Sequence, residues 1–234
     1  MKTYSSLLKA ISVFFFVALV TSNASAKPVT WYYDPVGTFG LLTMNHSNLF
    51  NMYTIIDEVS ATAQIDDDNF VNSKIEIKAK TSSFYLHPGS VVEQIQSKDF
   101  FYTEKYPEIL LKTVSIIKAV GDDYNATVDL TIRGVTKREV FKLEVMKKVP
   151  FEGTTWRAFR FSGSINRHDY GMDWREPEML ADQLYSDIFK LEFSAEFTDK
   201  EFANKKGEEI KLPHIEYGKV VNPSEKMNTD KNEK

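Results

Sequence analysis

Few side chains in this chain are grouped in a way that could do chemistry. Arg167, His168 and Asp169 stand together in the run Ile165-Asn166-Arg167-His168-Asp169-Tyr170. Read as the end of a strand, residues i and i+2 point to one face, so Arg167 and Asp169 are expected to form an ion pair. Two roles fit such a pair. In one, the guanidinium meets a polar group of a ligand while Asp169 orients it. In the other, the pair locks the Asn166 to Trp174 corner, since a partly buried guanidinium needs a carboxylate in any case. Asp66-Asp67-Asp68-Asn69 has the spacing of a calcium loop, but Ile77 stands where the bidentate glutamate belongs, which leaves a turn. His46, His87, His168 and His214 show no H-x-x-x-H spacing. There is no nucleophile elbow, Gly163-Ser164-Ile165 reading as strand, and no glycine-rich phosphate loop. The sequence asks for no metal and no cofactor.

The elements that must position these residues follow from alternation. In Lys74 to Lys80, Ile75, Ile77 and Ala79 share one face and charged residues the other. Tyr124 to Ile132, Val140 to Val149 and Phe189 to Phe197 alternate in the same way. A period of two over runs this long means strands with one buried face. Turn residues fall between them at Asp66–Asn69, Gly121-Asp122-Asp123, Gly134 and Glu152-Gly153, which implies antiparallel neighbours. Pro88 to Phe101 breaks the pattern: Val91, Val92, Ile95 and Phe100 fall near helical spacing, with Ser90 as N-cap and Glu93 three residues on. The expected fold is all-β, a closed antiparallel barrel with one short helix across an end, because closure removes exposed edges.

The two ends of the chain differ from this middle. Lys2, the apolar run Leu7 to Val20 and Ala24-Ser25-Ala26 have the architecture of a cleavable secretory signal, so residues 1–26 are expected to be removed. Export with cleavage is the expectation. Residues 27–198 form the expected barrel domain. From Asp199 to Lys234 there are eight lysines and eight acidic residues, a mixed-charge tail expected to be mostly disordered. No other stretch resembles a membrane-spanning helix. The chain has no cysteine, so its core must hold it without disulfides or thiolate metal sites. Its formal charge of −4, about −6 once Lys2 and Lys9 leave, argues against binding a nucleic-acid backbone. Aromatic residues make up 13%, which suits strands and suits the lining of an apolar cavity.

Three blocks occur in order along the chain. They are Ser97-Lys98-Asp99-Phe100-Phe101 with Tyr106-Pro107, Leu130-Thr131-Ile132-Arg133-Gly134-Val135-Thr136-Lys137, and Ile165-Asn166-Arg167-His168-Asp169-Tyr170-Gly171-Met172-Asp173-Trp174. Together with Trp31-Tyr32-Tyr33-Asp34-Pro35 they resemble the YceI-like family over Trp31 to Phe197. The resemblance implies a lipocalin-like antiparallel barrel of about eight strands, usually periplasmic, with an elongated apolar interior that binds polyisoprenoid chains such as isoprenoid quinones or polyprenyl phosphates. It also implies tasks such as lipid carriage or stress tolerance. This chain departs from the family at Val36-Gly37, where His-Ser is usual; His46-Ser47 occurs at a shifted position.

A ten-residue strand rises about 33 Å, comparable to an isoprenoid tail of several units. Ile75, Ile77, Leu111, Val128, Leu130, Phe141, Leu143, Phe159, Phe161, Leu191 and Phe193 are the expected inward side chains, as cavity lining or as ordinary core packing. Phe100, Phe101, Tyr106 and Pro107 either form the lip of an entrance or pin the helix to the barrel end. Arg167 either meets a polar head group or serves the structure. The favoured reading is a lipid-binding protein, not an enzyme. A barrel isomerase or cyclase using Arg167 and Asp169, and an interaction protein with a filled core, are the alternatives. Monomer and homodimer both remain open.

Overall fold

The computed structural model describes residues 28–86, 89–121, 123–151, 153–174 and 184–201. The expected signal peptide, 1–26, and all of the expected tail beyond Glu201 lie outside the described residues. Alternation of buried and exposed side chains builds strands β1 (Val29–His46), β2 (Phe50–Ile56), β3 (Val59–Ile65), β4 (Lys74–Lys80) and β5 (Phe84–Tyr85). Helix α1 (Gly89–Gln96) follows, then β6 (Glu108–Lys118), β7 (Asp123–Ile132), β8 (Val135–Val145), β9 (Val149–Phe151), β10 (Thr154–Asn166) and β11 (Ile188–Thr198). Short 3₁₀ turns lie at Phe70–Asn72, Thr81–Ser83 and Arg167–Tyr170.

The strands pair antiparallel around a closed circuit. β2 and β3 act as one strand interrupted at Asp57-Glu58, and both pair with the long β1. β4 and β5 pair with them in turn. The ladder continues through β6, β7, β8 and β10 to β11, and β11 pairs back onto β1 through Tyr32–Asp34 and Phe39–Thr43. Eight strand positions thus close a barrel with no open edge along its circuit. β9 adds a short pairing to β10.

Local chemistry fixes the register. Ile132 pairs with Val135, and the two residues between them, Arg133 and Gly134, both have positive φ. That is the two-residue turn whose twist matches the flanking strands. Arg133 Nη1 then donates to the carbonyls of Lys98 (2.8 Å) and Phe100, tying the segment after α1 to this turn. Between Asp34 and Phe39 the β1–β11 register slips by a bulge. There Asp34 Oδ1 accepts from the Val36 amide, and Thr38 Oγ1 donates to the Asp34 carbonyl while accepting from the Glu196 amide.

Two boundaries differ from the sequence reading. β8 spans Val135–Val145 rather than beginning at Val140, and Val140 and Val149 face outward. α1 begins at Gly89, which places Ser90 inside the first turn instead of at the cap. Phe100 lies beyond the helix, in the turn that follows it.

Candidate ligand-binding site

The inward faces of the strands converge on one apolar core. Ile75 and Ile77 of β4, Leu111 of β6, Val128 and Leu130 of β7, Phe141 and Leu143 of β8, Phe159 and Phe161 of β10, and Leu191 and Phe193 of β11 all point inward, each at most 1% exposed. All eleven expected lining residues are therefore brought together. Gly163 makes room for the Phe141 ring, since a Cβ there would stand 2.8 Å from three of its atoms.

One end of the barrel is floored by the β3–β4 connection. Phe70 inserts from its 3₁₀ turn and stacks on Phe159 with centroids 5.7 Å apart; Phe159 in turn meets Phe197 at 5.6 Å. Over this floor lies Arg157, 8% exposed, its guanidinium 5.1 to 5.7 Å from the rings of Phe159, Phe70 and Trp31. Asp67 receives Arg157 Nη1 at 2.5 Å and Lys148 Nζ at 2.7 Å. Burial works to raise the Asp67 carboxyl, but the hydrogen bonds and charges of Lys148 and Arg157 outweigh it and hold the group below the usual carboxylate range. Sequence reasoning passed over Arg157, although it stands in phase with Phe159 and Phe161 at i, i+2 and i+4. That phase was the available signal.

The other end is covered by α1, the turns after it, and residues 171–174 and 184–187. Phe100 sits at its centre, stacked on Phe189 (6.3 Å) and touching Trp174 (5.7 Å) and Tyr185 (5.5 Å). Phe101 is buried against Phe84 at 4.8 Å. Tyr106 lies outside this cluster, half-buried against Gly134 and Tyr102. Of the four expected lip residues, Phe100 and Phe101 are thus part of the barrel cover, Tyr106 braces the β7–β8 turn, and Pro107 is exposed, its carbonyl accepting from the Thr81 amide.

Arg167 and Asp169 do not pair. The chain leaves the strand at Asn166 and enters a 3₁₀ turn, where successive residues rotate by about a third of a circle, so i and i+2 diverge. Asp169 turns outward to Lys137 at 3.1 Å. Arg167 is 2% exposed: Nη1 donates to the carbonyls of Met172 (2.6 Å) and Trp174 (2.9 Å), Nη2 reaches Asp187 at 3.3 Å, and the cation lies over the Phe100 ring. His168 bridges Asp187 (2.8 Å) and Asp173 (3.0 Å). Behind it the Tyr170 hydroxyl donates to Glu139, and burial together with that carboxylate pushes the phenol far above its ordinary pKa. Arg167 therefore spends these donors on holding the corner, and Asp187, eighteen residues beyond Asp169, is the carboxylate it uses.

Among known proteins, the model of the YceI-like domain matches residues 31–197. The chain belongs to the YceI-like family. A UPF0312 protein of Photorhabdus laumondii is 30% identical over 158 residues, 65% of this chain and 81% of that protein. A UPF0312 protein of Staphylococcus aureus is 28% identical over 149 residues, covering 62% and 83%. The barrel is similar to Burkholderia cenocepacia BcnA, with a TM-score of 0.62 at 18% identity over 70% of this chain and 98% of that one. It is also similar to a polyisoprenoid binding domain of Saccharophagus degradans, implicated in plant cell wall breakdown, with a TM-score of 0.53 at 13% identity, covering 73% and 98%. The barrel fold is thus shared across distant sequences.

Proposed function

We propose that this YceI-like protein binds an isoprenoid-type lipid, such as a quinone or a polyprenyl phosphate, inside its barrel and does so in the periplasm, as a carrier or stress-related reservoir. The observation that carries the reading is the uniform apolar lining: eleven inward side chains from six strands, running from the Phe70–Arg157 floor to the Phe100 cover. Each methylene moved from water into such an interior contributes roughly 0.8 kcal/mol, so a few isoprene units bind firmly without a charged anchor. The polyisoprenoid binding domain with the same fold supports the ligand class. The secretory architecture of residues 1–26 supports the compartment.

The lining side chains expose almost nothing, so a tail reaches them by displacing rings at one end. The cover beneath α1 consists of short turns and a helix of two turns, held by fewer ladder bonds than the strands, and is the end that opens at lower cost. Catalysis through Arg167 and Asp169 loses its basis, because the two side chains face different surroundings.

Tryptophan fluorescence tests the reading. Trp31 lies at the floor and Trp174 at the cover, so a long-chain isoprenoid quinone within the barrel quenches both. Saturable quenching at one quinone per chain is expected, and a truncated quinone without a tail binds far more weakly. Equal quenching by both quinones, or none, rules the proposal out.

A further inference from the structure

We propose that the β1–β2 hairpin is a docking foot that inserts its tip into the interfacial layer of a lipid bilayer. This rests on the reading of the barrel as a lipid-binding protein and assigns the surface at which the lipid is exchanged.

Charge is the first observation. From Pro35 to Ile56, twenty-two consecutive residues contain no Asp, Glu, Lys or Arg, in a chain of which 26% is charged. Every other strand of the barrel longer than three residues, apart from β3, carries at least one formal charge. Burying a charge in a bilayer costs several kcal/mol, and this hairpin presents none to bury.

Exposure is the second. Leu49 in the turn and Phe50, the first residue of β2, are 77% and 55% exposed, although both are large and apolar. On the outer face above them, Phe39, Tyr53, Ile55 and, on β5, Tyr85 are exposed as well. The register sets them side by side: Leu41 faces Ile55, Thr43 faces Tyr53, and Ile55 faces Tyr85. Taking about 200 Å² per large side chain, roughly 700 Å² of apolar and tyrosyl surface lies open, more than the few hundred Å² usual on a monomer. Leu49 and Phe50 stand at the tip, the uncharged Asn45 and Asn51 come next, Tyr53 follows, and Ile55, Tyr85 and Phe39 lie farther up. Apolar groups thus lead and a tyrosine stands behind them, as in an interfacial element. Because the most exposed of these residues, Leu49, protrudes at the turn, the shape fits a soft layer better than the flat face of a second barrel.

Continuity is the third. Phe50 stacks on His46 at 5.3 Å, His46 meets Tyr185 at 5.7 Å, Tyr185 meets Phe100 at 5.5 Å, and Phe100 stacks on Phe189. An unbroken series of rings thus leads from the foot to the barrel cover. The tip is also fixed to that cover by Ser47 N to Leu184 O and Ser186 N to Asn45 O, both 3.0 Å. A foot set in the bilayer places the cover, and the lining behind it, at the membrane surface.

Flotation of the full processed chain with phosphatidylcholine vesicles tests this, using Leu49→Asp/Phe50→Asp and, as a matched control, Val140→Asp on the outer face of β8. Wild type and Val140→Asp are expected to float alike and independently of salt, whereas the foot variant loses vesicle association by about tenfold or more. All three positions are exposed, and near-UV circular dichroism confirms that the variants fold. Equal flotation of the foot variant, or equal loss in the control, overturns the assignment. So does a wild-type dimer, seen by sedimentation, that the foot variant dissolves without any vesicle binding by the wild type. Quinone quenching in vesicle-free solution separates the two readings. The foot variant keeps it if the barrel binds lipid, and its absence in the wild type refutes the barrel reading whatever the flotation result.

Discussion

The Glu196 side chain lies directly over Gly37: a Cβ at position 37 would stand 1.9 Å from Glu196 Oε2 and 2.7 Å from Glu196 Cδ. The contact falls in the β1 bulge, at Val36-Gly37. The bulge brings Asp34, Thr38 and the Glu196 amide into one hydrogen-bonded corner, and the bare Gly37 leaves room for the carboxylate above it.

Gly37→Ala is therefore expected to push the Glu196 carboxylate aside and cost about 1 kcal/mol, since the atoms met first belong to a flexible side chain. Adding Glu196→Ala removes the obstacle, and the double variant is expected to recover the loss. Chemical denaturation of the three variants measures the coupling. Additive effects would show that the contact does not matter.

Glu196 also carries a pH signature. Burial, and then the charge of Asp34, raise its carboxyl above the usual range. A raised acid pKa in the folded state means that the ionised form weakens the fold at neutral pH and that stability returns as pH falls through the folded value toward the unfolded one, about 4.3. Glu196→Gln is expected to raise the melting temperature at pH 7, with the gain vanishing as the pH falls past both values. A constant difference across pH would contradict the electrostatic origin.

Asp67 has the opposite sign. Its folded pKa is depressed by Arg157 and Lys148, so its contribution is complete above the unfolded value, about 3.9, and is lost as pH falls through the lower folded value. Asp67→Asn is expected to lower the melting temperature at pH 6 and to flatten the acid limb of the stability profile below pH 4. An unchanged acid limb would mean that the Arg157–Lys148 cluster contributes nothing to the floor.

Removing Arg167 tests structure against ligand contact. Arg167→Ala leaves the Met172 and Trp174 carbonyls and Asp187 without this donor, which is expected to cost on the order of 2–4 kcal/mol. That corresponds to roughly 4–16 °C in melting temperature for a domain of this size. Quinone affinity of the folded fraction is expected to change little. A large loss of affinity at unchanged melting temperature would assign Arg167 to the head group.

Much of this was legible in the alternation of side chains. β4 has the limits its sequence pattern implied, and all eleven lining positions face inward because a period of two leaves little freedom once one face is apolar. The Arg133-Gly134 turn was legible for the same local reason. What failed depended on distant partners or on a change of helical rotation. Arg167 and Asp169 share a face on a strand, but the 3₁₀ turn at Arg167–Tyr170 separates them, and Asp187 reaches Arg167 only because β11 is laid beside β10. The bulge at Asp34–Phe39 had no short-range signal beyond Pro35 and Gly37. Arg157 was in phase with Phe159 and Phe161, yet a charged side chain on an apolar face reads as an exception until Asp67 and the rings around it are seen together.

The most direct test of the lipid-binding barrel is native mass spectrometry of the full chain expressed and purified from its own host, followed by organic extraction of the same sample. The account predicts a complex heavier than the polypeptide by one long-chain isoprenoid lipid, and that lipid recovered in the extract. A bare polypeptide mass, with no isoprenoid recovered and none taken up on incubation with quinone, would contradict it.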